Sequence, residues 1–264
     1  MKRRKWLKAS ILFVAVFMVS LLVYPQSGCA QDMLLVYSGA GMRKPMDKIG
    51  TAFEKKYDVA VNYNYAGSNT LLSQIDLTKK GDVYIPGATM YIDKAKEKGF
   101  VDYEQPVAYH IPVIAVPKGN PAKITRLEDL TKPKVKIIFG DPKAAAIGKL
   151  GNKILKKNKI YKAVQKNIIA TTATVNELVI YISMNQADAS IIWKSSLLGT
   201  ENKIDIIEIP KKQNCIKIIP IGRLTFSKNK EMAKSFVNFV ASSEGKTIFK
   251  ECGFTIYSDP RYEK

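Results

Sequence analysis

The chain has 264 residues, of which 46% are hydrophobic, 25% charged and 9% aromatic. That composition excludes a disordered chain, a coiled coil and a collagen-like repeat. One histidine and three cysteines exclude a histidine-rich metal site and argue against a zinc module or a disulfide scaffold, while the formal net charge of +19 favours anionic partners.

Lys2, Arg3, Arg4, Lys5 and Lys8 form an acid-free cluster, and an apolar run follows from Ser10 to Tyr24. The run is shorter than the ~20 residues a spanning helix needs. A positive head before a short apolar middle describes an export signal, so residues 1–28 read as a signal peptide and the remainder as periplasmic or cell-surface. Ser27-Gly28-Cys29 resembles the end of a bacterial lipoprotein box, which would put a lipid on Cys29 and anchor the chain to the membrane. A plain cut after Ala30 is the alternative, and an uncleaved anchor is a third. The first 28 residues hold five positive charges and no acid, which leaves +14 on the exported part. Its lysines are scattered, without an arginine stripe, as on a solvated surface and not a nucleic-acid face.

Strands and helices then alternate. Met33–Tyr37 is a continuous apolar run, suited to a buried strand. Pro45 stands where a helix can begin, and Met46, Ile49, Phe53 and Tyr57 follow at helical spacing. Val59, Val61, Tyr63 and Tyr65 alternate as a strand does. Ser68 can cap a helix that faces its core with Leu71, Leu72 and Ile75. Asp82–Ile85 predicts a strand, residues near Tyr91–Ala95 a helix, and Val107–Val116 one long strand crossed by Pro112. A second series follows: a strand at Val135–Phe139, helices near Ile147–Leu155, Tyr161–Gln165 and Val175–Ile182, and strands at Ala189–Trp193 and Lys203–Ile209. Ile216–Phe226 is a second long strand, and a helix through Met232–Val240 and a shorter one ending at Cys252 close the chain.

This order predicts mainly parallel sheets covered by helices. The two long strands suit a hinge that leaves one lobe and later returns. The expected division is residues 29–112 in lobe 1, 113–215 in lobe 2 and 216–264 back in lobe 1, with the ligand in the cleft between them.

Three strand-to-helix turns are rich in small or hydroxyl residues: Ser38–Gly41, Ala66–Thr70 and Thr171–Val175. Helix starts expose free N–H groups and a partial positive charge, which suits an oxyanion. Thr174-Val175-Asn176-Glu177 has capping-box form, the glutamate being expected to bond back to the Thr174 N–H. Taken singly, Gly39 and Gly41 read as tight-turn residues.

Together these turns, with Gly140-Asp141-Pro142, Ala189–Trp193 and the terminal Ile248–Phe254, resemble the periplasmic molybdate-binding proteins of ABC importers and their tungstate-binding relatives. The resemblance runs from about residue 33 to 258. It implies an α/β type II periplasmic-binding-protein fold, no catalysis, no cofactor and no bare metal cation. The implied cargo is molybdate or tungstate, passed by a monomer to a membrane permease. Position by position, it implies oxyanion contacts from Ser38, the backbone of Gly41, Ser68, the backbone of Ile147, Val175, and Trp193 where the family commonly has tyrosine. Asp141 and Glu177 are outside candidates as added carboxylates.

His110 reads as a packed histidine. With no Ser-His-Asp set and one histidine, acid–base catalysis has little equipment. Cys215 and Cys252 stay available for a disulfide in an exported chain. Sulfate and phosphate receptors are the other ligand classes consistent with the turns.

Overall fold

The computed structural model describes residues 33–262; Cys29 and the signal segment lie outside the described residues. Among the described residues no helix is long and apolar enough to cross a membrane.

The first lobe begins with β1 (Met33–Gly39), α1 (Arg43–Tyr57), β2 (Ala60–Ala66), α2 (Ser68–Thr78), β3 (Val83–Ile85), α3 (Thr89–Glu97) and β4 (Val101–His110). It is completed by β10 (Lys217–Leu224), α7 (Lys230–Ala241), α8 (Ser243–Glu251) and β11 (Thr255–Ile256). Their strands form one six-stranded sheet in the order β11-β4-β10-β3-β1-β2. The β1 pairs are parallel, whereas β10 runs antiparallel to both β3 and β4.

The other lobe holds β5 (Pro112–Pro117), β6 (Ile137–Gly140), α4 (Ala146–Lys157), α5 (Tyr161–Gln165), β7 (Ile168–Thr172), α6 (Val175–Ser183), β8 (Ser190–Trp193) and β9 (Ile204–Glu208). Here β5 is central and antiparallel to β8 and β9. β6 and β7 pair in parallel, and the Ile138 N–H donates to Ala189 O at 3.2 Å, which ties β6 to the start of β8. The sheets are therefore mixed, not mainly parallel. The expected single strand over Val107–Val116 is two strands in two different sheets, with the switch at Ile111. An unbroken apolar run suits a strand buried on both faces in either sheet, so the pattern carries no mark of the switch. The chain returns to the first sheet between Glu208 and Lys217.

The six-stranded sheet is covered on both faces. Leu34 and Val36 of β1 point into a core with Met46, Ile49 and Phe53 of α1 and Phe236 and Val240 of α7. Tyr37, one residue along, points into the opposite core with Leu71 and Ile75 of α2 and Ile92 of α3. That alternation is the period-2 rule of a strand. In the other lobe every residue of β5 is buried, packed with Ile154 and Leu155 of α4 and Leu178 and Ile182 of α6. Cys215 and Cys252 are both free thiols, and Cys252 is buried in the first lobe's core.

Gly148, in the first turn of α4, sets how closely that helix approaches β6. A Cβ there would overlap Gly140 O and lie 2.8 Å from the Asp141 carbonyl carbon. Backbone on both sides cannot yield as a flexible side chain would. Gly148→Ala is expected to destabilise the protein by about 1–3 kcal/mol through overpacking, seen as a lowered urea midpoint with an unchanged m-value. An unchanged midpoint would show that α4 rides free of β6.

Candidate functional site

A cavity of about 1020 Å³ is lined by residues of both lobes. Its wall is built from the ends of strands and the beginnings of helices. From the first lobe come Gly39 to Asp47 except Met46, together with Gly67, Ser68, Gly87 and His110; from the second come Ala144 to Ala146, Ala173 to Asn176 and Trp193.

Each helix start contributes differently. α2 has Gly67, not Ser68, as its N-cap residue. Ser68 is the first helical residue, so the expectation that it caps the helix is corrected. Its hydroxyl instead accepts the Gly87 N–H at 3.0 Å, and its carbonyl accepts the Tyr84 hydroxyl at 2.7 Å. Burial pushes the Tyr84 phenol above its ordinary range, which keeps it a donor. Because the Ser68 oxygen accepts from Gly87, its own O–H is free to donate towards the cavity.

α6 begins after Thr174, whose side chain accepts the Glu177 N–H at 3.3 Å. Glu177 accepts the Ala173 N–H at 3.2 Å, one residue before the expected Thr174 N–H. Val175 and Asn176 sit in the first turn, where N–H groups have no intrahelical partner, and both line the cavity. Their lobe is opposite to that of Ser68.

Gly41 lies in a 3-10 turn over Ala40–Met42 and lines the cavity. A Cβ there would meet nothing within 4 Å, so the tight-turn reading is not what places a glycine at this position. Trp193 also lines the cavity, with its ring stacked on His110 at 4.5 Å between centroids and 17° between planes. Two predicted residues stand back from the wall. Ser38 is fully buried, because β1 continues to Gly39 and places it inside the sheet; its hydroxyl reaches only Gly39 O at 3.4 Å. Ile147, expected to contribute its backbone N–H, lies in the first turn of α4 with its side chain in the second lobe's core, beside Ala145 and Ala146 on the wall. Asp141 and Glu177 are also absent from the wall: Asp141 accepts the Lys143 N–H at 2.8 Å as a turn residue, and Glu177 is occupied as above. Among the described residues no group of three or more metal-ligating side chains occurs.

The wall contains groups that sequence reasoning did not place there. His110 is both packed and cavity-lining: Nδ1 lies 3.0 Å from Gly87 O. Five cationic residues, Arg43, Lys44, Lys149, Lys153 and Lys217, face one acid, Asp47. Lys149 and Lys153 are one turn apart on α4, a spacing that could have been read from the sequence. Among the described residues neither they nor Lys44 and Lys217 make an ion pair. The cleft thus offers an anion neutral donors at two helix starts and cations in the same wall.

Residues 34–255 match the family model described as bacterial extracellular solute-binding protein. A putative binding protein of Haemophilus influenzae is 28% identical over 221 residues, 84% of this chain and 90% of that one. The molybdate-binding protein ModA of Mycobacterium tuberculosis is 24% identical over 223 residues, 84% of each chain. The substrate-binding domain of a putative molybdenum ABC transporter from Clostridium difficile superposes with a TM-score of 0.73 at 23% identity, covering 84% of this chain and 98% of that one.

Thr174→Ala removes the side-chain acceptor at the start of α6. It should cost about 1 kcal/mol of stability, measurable by urea denaturation. No loss would mean that Glu177 and Ala173 alone fix this helix start.

Proposed function

Since the chain belongs to the bacterial extracellular solute-binding proteins, we propose that it captures molybdate or tungstate in this cleft and delivers it to the permease of an ABC importer. The observation that carries the reading is the pair of helix starts, α2 and α6, that line one cavity from opposite lobes. Each offers unpaired N–H groups and roughly half a positive charge. Charge-assisted hydrogen bonds are worth about 1.5–3 kcal/mol each, so several together offset the desolvation of a dianion. Donors on both lobes reach the anion together only when the cleft is closed, so the anion favours the closed state. The relatives named for molybdenum support the choice of oxyanion.

A second reading is supported by the size of the cavity and its five cationic residues. A bare tetrahedral oxyanion fills a small part of about 1020 Å³; a small organic phosphate would use the two helix starts for its phosphoryl group and Lys149 and Lys153 for another anionic group. One calorimetric competition series decides between them. Molybdate and tungstate are expected to bind one per chain, with sulfate far weaker and a three-carbon phosphate unable to displace them. Displacement of molybdate by the organic phosphate at equal concentration would reverse the assignment.

Two variants probe the donors. Ser68→Ala removes the hydroxyl and leaves the helix start, so affinity should fall about 10- to 100-fold, the equivalent of roughly 1.4–2.7 kcal/mol. Val175→Pro removes one N–H at a first helical position that tolerates proline, and Thr174 before it is already extended, with φ −129° and ψ 155°. That variant should bind more weakly at an unchanged melting temperature. Wild-type affinity in Val175→Pro would remove α6 from the site.

A further inference from the structure

We propose that anion capture by this cleft is coupled to one proton, held by His110 Nε2 against the bound oxyanion; this rests on the oxyanion reading above. His110 is at the end of β4, beside the peptide that positions Ser68. That peptide, Gly87, is bonded on both sides: its N–H donates to Ser68 Oγ at 3.0 Å, and its carbonyl lies 3.0 Å from His110 Nδ1. A carbonyl can only accept, so the shared hydrogen is on Nδ1. In the neutral ring this leaves Nε2 as a bare lone pair. Nε2 has no hydrogen-bond partner among the described residues, and the residue lines the cavity. The lone pair is thus left over on a residue that lines the same cavity as Ser68.

The other groups proposed to meet the anion, the Ser68 hydroxyl and the N–H groups of Val175 and Asn176, are donors. A lone pair facing a fully ionised oxyanion repels it, whereas Nε2–H would give it a charge-assisted hydrogen bond. In the free protein burial pushes His110 down to about 4, so the ring is neutral at pH 7. A dianion alongside favours the charged ring and raises that value. The proton comes from the buffer, goes onto Nε2 as the anion enters, and leaves with it. The sign follows from linkage. Between the low value of the free protein and the raised value of the complex, affinity falls as pH rises, by up to tenfold per unit.

Other charged or titratable groups face the same region and must be separated from His110. Lys217 is its direct cross-strand partner on β10. Cys252, beyond α8, has its thiol pushed up by burial. Tyr91 on α3, Arg43, Lys44 and Asp47 of α1, and Lys149 and Lys153 of α4 complete the wall. The remaining neighbours, Trp193 and Phe254, are uncharged rings at 4.5 and 5.6 Å.

His110 is the chain's one histidine, so imidazole ¹⁵N resonances of the untagged, histidine-labelled mature protein belong to it without ambiguity. The free protein at pH 7 should show the neutral Nδ1–H form. Saturation with molybdate, tungstate or sulfate, all fully ionised at pH 7, should convert it to the doubly protonated form. Calorimetry in buffers of different ionisation enthalpy should show uptake approaching one proton. His110→Asn keeps an amide N–H for Gly87 O and should bind more weakly, without proton uptake and with affinity flat in pH; His110→Gln serves if that variant fails to fold. A neutral ring in the saturated complex overturns the proposal, as does undiminished proton uptake in the variant. If sulfate binds and neither molybdate nor tungstate does, the cargo assignment falls while the His110 signal still decides the proton. If none of the three binds, both fall.

Discussion

The first N–H groups of a helix have no partner within it, and this protein aims two such helix starts at one cavity from two different sheets. Each start is made by a local arrangement that leaves donors over. Gly67 caps α2 without a side chain, so nothing of the residue itself covers the N–H groups. Thr174 and Glu177 satisfy the Glu177 and Ala173 N–H groups and leave those of Val175 and Asn176. An anion is the partner that unsatisfied N–H groups and the helix dipole both favour. The rest of the architecture can be understood as holding these starts in place while letting them approach one another.

Placement comes from the sheets. α2 follows β2 at the edge of the six-stranded sheet, and α6 follows β7 in the other lobe. The chain passes between the lobes at Ile111 and again between Glu208 and Lys217, and the stack of His110 on Trp193 joins residues on either side of the first passage. β5 is buried along its whole length, and the six-stranded sheet is covered on both faces. Each lobe is thus closely packed, and the chain joins the two at these passages. Close backbone approach at Gly148 fixes α4 on β6, and with it the direction in which Lys149 and Lys153 face the cavity.

Much of this was legible in the residues. The turns at Ala66–Thr70 and Thr171–Val175 supplied helix starts because small and hydroxyl residues followed apolar runs, and their neighbours line the cavity. Where the reading stopped short, the cause is physical. Ser38 looks like a turn donor beside three small residues, but β1 runs on past it and buries it. Val107–Val116 is one apolar run in two sheets, and hydropathy carries no record of a change of sheet. His110 reads as core because it is core, with its ring stacked on Trp193; its bond to Gly87 comes from a neighbour in three dimensions that no local pattern marks. The cavity's cations come from α1, α4 and β10, which no local motif unites.

The proposed function places the anion between the starts of α2 and α6. Anomalous diffraction from crystals of the molybdate-loaded protein, recorded at the molybdenum edge, measures that position directly. One peak is expected, with ligand oxygens within hydrogen-bond reach of Ser68 Oγ and the Val175 N–H. A peak against Lys149 and Lys153, away from both helix starts, would contradict it.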